Sequence, residues 1–175
     1  MSAPGQTSSP RLQDFTTRLL FDTNVWLDYY DALRPAHGDA MELYSYAKRQ
    51  GIALLYAVHC AKDVFFLLNA TLKRGVIAEK GRLSDADALV ARDAAWGALE
   101  HLHQEAFAVG ADESDVWLAC RLRNLHGDFE DNLLVAAVRR AEATYLVTND
   151  EQLIRHAPVP TLSSRDALAA LRAMR

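Results

Sequence analysis

The sequence predicts an α/β domain: three layers, α/β/α, around a central and mainly parallel sheet. Two observations carry that expectation. Short apolar runs recur along the chain at Leu19–Phe21, Ile52–Val58, Phe107–Val109, Thr144–Val147 and Val159–Leu162. Such runs read as buried strands. The segments between them carry apolar residues at helical spacing, and alternating strands and helices give a parallel sheet covered on both faces. The strands near Leu20, Leu55 and Leu146 are expected to be neighbours in its middle.

Each element follows in order. After the first strand, Val25, Trp26 and Tyr29 share a helical face. Pro35 suits the first turn of a helix that carries Met41, Leu43, Tyr44 and Ala47 and stops at Gly51. The next strand is apolar throughout, as in a central parallel strand. His59 to Arg74 reads as a helix, with Val64, Leu67, Leu68 and Leu72 at helical spacing; Lys73, Arg74 and Gly75 look like its stop. Ser84-Asp85-Ala86-Asp87 opens a long helix to about Glu105, and Glu113–Leu125 is another. His126 to Asp131 is a turn leading into a helix over Asn132–Glu142. Glu151–His156 is a short helix, and Ser164–Met174 a terminal amphipathic one.

At 175 residues, half of them apolar, the chain is expected to bury a single core over residues 18–175. Residues 1–17 are rich in Ser, Pro and Gln and read as a flexible tail without the apolar stretch of a signal peptide. No run approaches the ~18 apolar residues of a membrane span. Cys60 and Cys120 both fall in apolar helical stretches, so buried free thiols in a cytoplasmic protein are expected. A net charge of -4 argues against a protein that coats nucleic acid, which needs a basic excess.

Chemistry is suggested by Asp22-Thr23-Asn24-Val25 directly after the first strand and by Thr148-Asn149-Asp150 directly after the fourth. Ligands of open α/β sheets bind at the carboxyl ends of the strands. Asp63, near the start of the helix after the second strand, and Asp131, at a helix start, can approach the same edge. Each has a structural reading as well. Asp22 and Asp150 can cap the helices that follow them. Asp128 and Asp131 resemble a cap and its partner, and Asp63 can be a solvated helix residue. Two carboxylates ~5 Å apart repel by roughly 3 kcal/mol at an effective dielectric of 20, so a cluster of four calls for a cation. Oxygen-only donors select a hard ion, Mg²⁺ or Mn²⁺, over Zn²⁺.

The stretches Leu20-Phe21-Asp22-Thr23-Asn24-Val25-Trp26-Leu27-Asp28, Asp128-Phe129-Glu130-Asp131 with Val135-Ala136-Ala137, and Tyr145-Leu146-Val147-Thr148-Asn149-Asp150 together resemble the PIN-domain ribonucleases, including the VapC-like toxins of bacterial toxin–antitoxin pairs. The resemblance implies a PIN-like fold from about Leu19 onward. It implies Asp22, Asp63, Asp131 and Asp150 as catalytic metal ligands, supported by Asn24, Thr148 and Asn149. Asp63 departs from the Glu common in that helix of the family. Asp131 is preferred over its neighbours Asp128 and Glu130 for its spacing to Val135 and Ala136. The implied activity is Mg²⁺- or Mn²⁺-dependent hydrolysis of RNA, the implied partners an antitoxin and a second copy of the chain. The segments Trp26–Tyr30 and Met41–Ala47 are expected to exceed what one core needs.

Other readings fit less well. Haloacid-dehalogenase-like phosphatases want a second Asp where this chain has Asn24. A phospho-receiver wants an Asp after a middle strand and a late Lys, and both are missing. A housekeeping PIN nuclease or a non-catalytic PIN-like scaffold remain the alternatives. His101 and His103 face apart on a helix and read as a solvated face, and His59 as a cap or packing residue. The pairs Lys48-Arg49, Lys73-Arg74, Arg121 with Arg123, and Arg139-Arg140 read mostly as solvated helix ends.

Overall fold

The computed structural model describes residues 11–124 and 127–174. Five strands form one sheet: β1 (Arg18–Phe21), β2 (Ala53–Ala57), β3 (Phe107–Val109), β4 (Tyr145–Val147) and β5 (Thr161–Leu162). Their order is β3-β2-β1-β4-β5, and every pairing is parallel. The three strands expected in the middle are there. In register, Leu20 stands beside Leu55 on one side and Leu146 on the other.

Among the described residues eight α-helices surround the sheet: α1 (Thr23–Tyr30), α2 (His37–Gln50), α3 (Cys60–Lys80), α4 (Asp85–Glu105), α5 (Glu113–Leu122), α6 (Phe129–Ala141), α7 (Glu151–His156) and α8 (Ser164–Ala173). Successive strand side chains point to opposite faces, and the core divides accordingly. Leu19, Phe21, Leu54 and Val147 pack with Trp26, Leu43, Leu102 and Leu168 on one side. Leu20, Leu55 and Leu146 pack with Leu134, Val138 and Leu153 on the other. Both faces of the sheet are covered, which makes three layers.

Strand order runs outward on both sides of β1. The chain goes β1 to β2 to β3, then crosses back to β4 and β5. The gap between β1 and β4 is therefore the point where the connections diverge, the usual place for a ligand crevice in such sheets.

Several local expectations are corrected. Gly75 does not end α3; the helix continues to Lys80 and stops at Gly81, which takes the left-handed φ of 73°. An interior glycine costs roughly 1 kcal/mol. Leu72 and Val76 of α3 line one groove with Val90 and Ala91 of α4, so α3 runs on beside α4 past Gly75. Helix α6 begins at Phe129, so Asp131 lies inside its first turn and Asp128 is the cap. Pro35 precedes α2, whose cap is Ala36. Cys60 is buried as expected, but Cys120 is exposed on α5. The expected end of α5 at Leu125 and turn start at His126 lie outside the described residues. Tail residues up to 10 lie outside them too. The rest of the tail is not loose: Leu12 and Phe15 pack on the core, with Phe15 edge-on to Phe107 at 5.6 Å.

The segments thought to exceed the core are largely core: Trp26, Leu43 and Ala47 are fully buried. Nor is His101 merely solvated, since its Nδ1 lies 3.0 Å from the Tyr30 hydroxyl and its ring stacks on Tyr29. Large exposed apolar side chains instead gather on α3 and α4, among them Phe66, Leu89, Val90 and Trp96. Among the described residues no helix is long and apolar enough to cross a membrane.

Candidate active site

Asp22 ends β1 and begins α1, yet its carboxylate makes no capping bond to that helix. It turns to β4 instead. Thr148 Oγ1 donates to Asp22 Oδ2 at 2.7 Å, and Asn24 Nδ2 donates to the same oxygen at 2.6 Å. Asn24 Nδ2 also reaches Thr148 Oγ1 at 2.8 Å, and the Asp150 amide donates to that hydroxyl at 3.1 Å. The two sequence motifs, one after β1 and one after β4, thus form one hydrogen-bonded unit across the switch point.

Asn149 braces this unit from behind. Its amide donates to Asn24 Oδ1. Its side chain donates to Asp28 Oδ2 at 2.7 Å and accepts from the Ser164 amide. Asp28 is buried and takes the Arg34 guanidinium on its other oxygen at 2.6 Å. Asp28 was not singled out from the sequence. The available signal was an acid one residue past the apolar run Val25-Trp26-Leu27, on a helix whose inner face holds it.

In front of the unit lies an open cleft of about 410 Å³. Asp22 and Asn24 line it from α1, Asp63 from α3, and Asp128, Glu130 and Asp131 from the start of α6, with Leu27, Leu67 and Leu134 as its apolar wall. Asp63 is held by Lys62, whose Nζ lies 2.6 and 2.8 Å from its two oxygens. Glu130, set aside in favour of Asp131 on spacing, is hydrogen-bonded to Asp63. Spacing along α6 could not separate the two, because both sit in its first turn beside the cleft.

Asp150 stands at the edge. It does not line the cleft, and it caps α7 by accepting from Gln152 and Leu153. The capping reading of this residue is correct, as is that of Asp128. Both cap bonds land on Oδ1 of Asp150. Its charge still reaches Asp22.

The electrostatics are strained in one direction. Burial pushes the Asp22 carboxyl up to about 6, against the Thr148 hydrogen bond that lowers it, and the charges of Asp131 and Asp150 raise it further. Partial burial, then the hydrogen bond and charge of Asp63, push Glu130 up to about 7. Both shifts come first from burial, and neighbouring carboxylates add to them, as expected for a charged form taken out of water beside like charges. The thiol of Cys60 is raised to about 12 by burial, and burial lowers the pKa of His59 beside it. A protonated thiol is no nucleophile, so this Cys/His neighbourhood offers no covalent route.

The donors are carboxylate oxygens, which suit a hard cation. Among the described residues no three acidic, His or Cys side chains close on a common point. A zinc-type cage is therefore not built here. Mg²⁺ needs less, because it keeps most of its water and takes one or two carboxylates directly. The residues present fit a hydrated hard ion.

Comparison with known proteins agrees with this architecture. A model of the PIN domain matches residues 18–152. No curated protein matches the chain. Among solved structures, VapC20 of Mycobacterium tuberculosis, described as a sarcin-ricin loop cleaving toxin, is similar with a TM-score of 0.59 at 15% identity, over 78% of this chain and 93% of that one. PAE2754 of Pyrobaculum aerophilum gives 0.58 at 16% identity, over 90% of each chain. VapBC2 of Rickettsia felis, bound to a DNA fragment from its promoter, gives 0.51 at 14% identity, over 84% of this chain and 98% of that one. At such identities the structures share the fold, while the domain match spans most of the sequence, from β1 into α7: this chain belongs to the PIN domain family.

Proposed function

We propose that this chain is an endoribonuclease that depends on Mg²⁺ or Mn²⁺, hydrolyses RNA phosphodiester bonds, and is the toxin of a toxin–antitoxin pair. The observation that carries the reading is the convergence of Asp22, Asp63, Asp128, Glu130 and Asp131 on one open cleft at the switch point of the sheet. Family membership and the fold shared with VapC toxins support it.

In this reading Asp22, Asp63 and Asp131 would hold a hydrated ion, directly or through its water, with Glu130 as a further candidate and Asp150 adding charge from the edge. A bound divalent ion supplies a water of lowered pKa and positive charge beside the phosphate. The chain's own residues do the rest. Thr148 and Asn24 fix Asp22 Oδ2, so no side chain has to reorganise as charge develops. Asn149 locks Asn24 in turn. Leu27, Leu67 and Leu134 narrow the cleft and limit free water. Lys62 holds both oxygens of Asp63, a contact that would have to open for Asp63 to take a cation.

The proposed partner is an antitoxin that sets a basic side chain among these carboxylates and displaces the ion by charge pairing. A second copy of the chain is the other proposed partner. Its support is the group of exposed apolar side chains on α3 and α4, Phe66, Leu89, Val90 and Trp96 among them, since exposed apolar patches mark contact surfaces. RNA in the cytoplasm is the proposed substrate pool.

The test is cleavage of a labelled RNA by the purified chain in EDTA, Mg²⁺ and Mn²⁺. Cleavage is expected with either metal and absent in EDTA. Equal rates in all three conditions, or no cleavage in any, would overturn the reading.

A further inference from the structure

The helix pair α5 and α6 carries a second surface feature, on the far side of α6 from the acidic cleft. Phe129, Asn132, Ala136 and Arg139 recur at helical spacing along one face of α6. Two end-to-end grooves follow that face against α5, of about 330 and 440 Å³. Arg123 and Phe129 line the first, Trp117 and Arg139 the second. Trp117 is 63% exposed and Phe129 50%. The Arg121 guanidinium lies over the Trp117 ring, 5.5 Å from its centre.

The charges of this seam are uneven. Asp115 is the one acid among the lining residues, and Arg140 already binds it through two nitrogens. No carboxylate lies within bonding distance of Arg121, Arg123 or Arg139 among the described residues. Some arginines elsewhere meet acids, as Arg34 does Asp28 and Arg172 does Glu42, while others stand singly; here three lie together. A chain of net charge -4 thus keeps three uncompensated guanidiniums next to two exposed aromatic rings.

We infer that the α5–α6 seam is a binding track for single-stranded RNA, in which bases stack on Trp117 and Phe129 and phosphates meet Arg121, Arg123 and Arg139. Exposed rings interleaved with unpaired cations are what sequence-tolerant binding of single strands requires. Position supports it. Phe129 is the first residue of α6, and Glu130 and Asp131 follow it on the cleft side of the same helix. A helix is about 10 Å across, so a strand leaving the track at Phe129 rounds the end of α6 into the cleft. A second copy of the chain is a poorer occupant. A two-fold contact sets a patch against itself, which would bring two sets of these arginines into one interface where Asp115, the one lining acid, is already taken by Arg140. The inference rests on the ribonuclease reading only for the fate of the RNA; binding stands separately.

The experiment measures affinity in EDTA, so no cutting intervenes. A labelled oligouridylate of roughly 12 nucleotides, within the span of such sites, is titrated onto the full chain. Trp117→Ala is expected to weaken binding about tenfold, and Trp117→Tyr to restore most of it. Arg121→Ala and Arg139→Ala should each lower the slope of log affinity against log salt by about 0.7. Alkylation of exposed Cys120, at the groove wall, should slow when RNA is bound, while buried Cys60 serves as the internal control. Asp131→Asn should bind at least as tightly as the wild type. Unchanged affinity in all groove variants overturns the track. So does a dimer that Trp117→Ala dissociates while RNA affinity stays constant, which would make the face an interface. RNA bound through the groove but never cut in Mg²⁺ leaves the track standing and removes the catalytic reading. RNA cut and bound normally by the groove variants does the reverse.

Discussion

Thr148 Oγ1 donates a hydrogen bond of 2.7 Å to Asp22 Oδ2 across a separation of 126 residues. Thr148 is fully buried and Asp22 nearly so, so water cannot replace the bond. Hydrogen bonds to charged groups contribute about 1.5–3 kcal/mol. Thr148→Val, which keeps the shape, should destabilise the metal-free protein by about that amount at pH 7. It should also slow RNA cleavage at least tenfold, because Asp22 loses its fixed orientation. Denaturant melts and a cleavage assay on the same preparation check both.

Asp22→Asn separates a metal ligand from a structural residue. The change should abolish Mg²⁺-dependent cleavage while the fold persists. Asp131→Asn should do the same. Asn caps helices about as well as Asp, so purely capping residues would leave the rate unchanged. A wild-type rate in either variant removes the residue from the metal site.

The pH dependence of stability has a definite sign. The Asp22 carboxyl titrates near 6 in the folded protein against 3.8 for its ordinary value. The folded state therefore binds the proton more tightly than the unfolded state. Between about pH 4 and 6 this group makes stability fall as pH rises, and above 6 it costs up to about 3 kcal/mol. Without metal, Asp22→Asn should melt higher than the wild type at pH 7, and the gap should close near pH 4. Melting curves in EDTA across that range decide it. A gap that widens toward pH 4 would contradict the burial cause.

Asp28 acts at a distance from the cleft. It joins Arg34 to Asn149, and Asn149 holds Asn24. Asp28→Ala leaves Arg34 partly exposed and able to hydrate, so the loss should be nearer 2 kcal/mol than the 3–5 of a fully buried pair. Cleavage should fall with kcat more than with KM, since no substrate contact is lost. In a double-mutant cycle, Asp28→Ala and Asn149→Ala should be strongly non-additive.

Gly75 lies inside α3 with nothing within 4 Å of where a Cβ would stand. Gly75→Ala should stabilise by roughly 0.5–1 kcal/mol. Gly81 ends the helix at φ 73°, so Gly81→Ala should destabilise by a similar amount. Paired thermal melts of the two variants test where α3 ends.

The order of residues already specifies the fold class, the three central strands and the two motifs that meet at the switch point. Apolar runs such as Leu19-Leu20-Phe21 and Tyr145-Leu146-Val147 have few places to go but a buried parallel sheet, and an acid after each strand has to emerge at its carboxyl edge. Local chemistry was also legible where it acts within a few residues. Asp128 and Asp150 cap their helices through amides two and three positions on, and Ser84 opens α4 with its own capping box.

Other features depend on packing between distant elements. Gly75 resembles a helix stop until α4 packs against the turns beyond it. Asp22 resembles a cap until Thr148 and Asn24 draw its carboxylate toward β4. Glu130 and Asp131 are adjacent in sequence, and only the approach of α3 put Asp63 beside Glu130. Cys60 and Cys120 occupy similar apolar stretches, yet one helix face meets the sheet and the other meets water. In each case the deciding free energy comes from a partner far away in the chain, and spacing along one element carries no record of it.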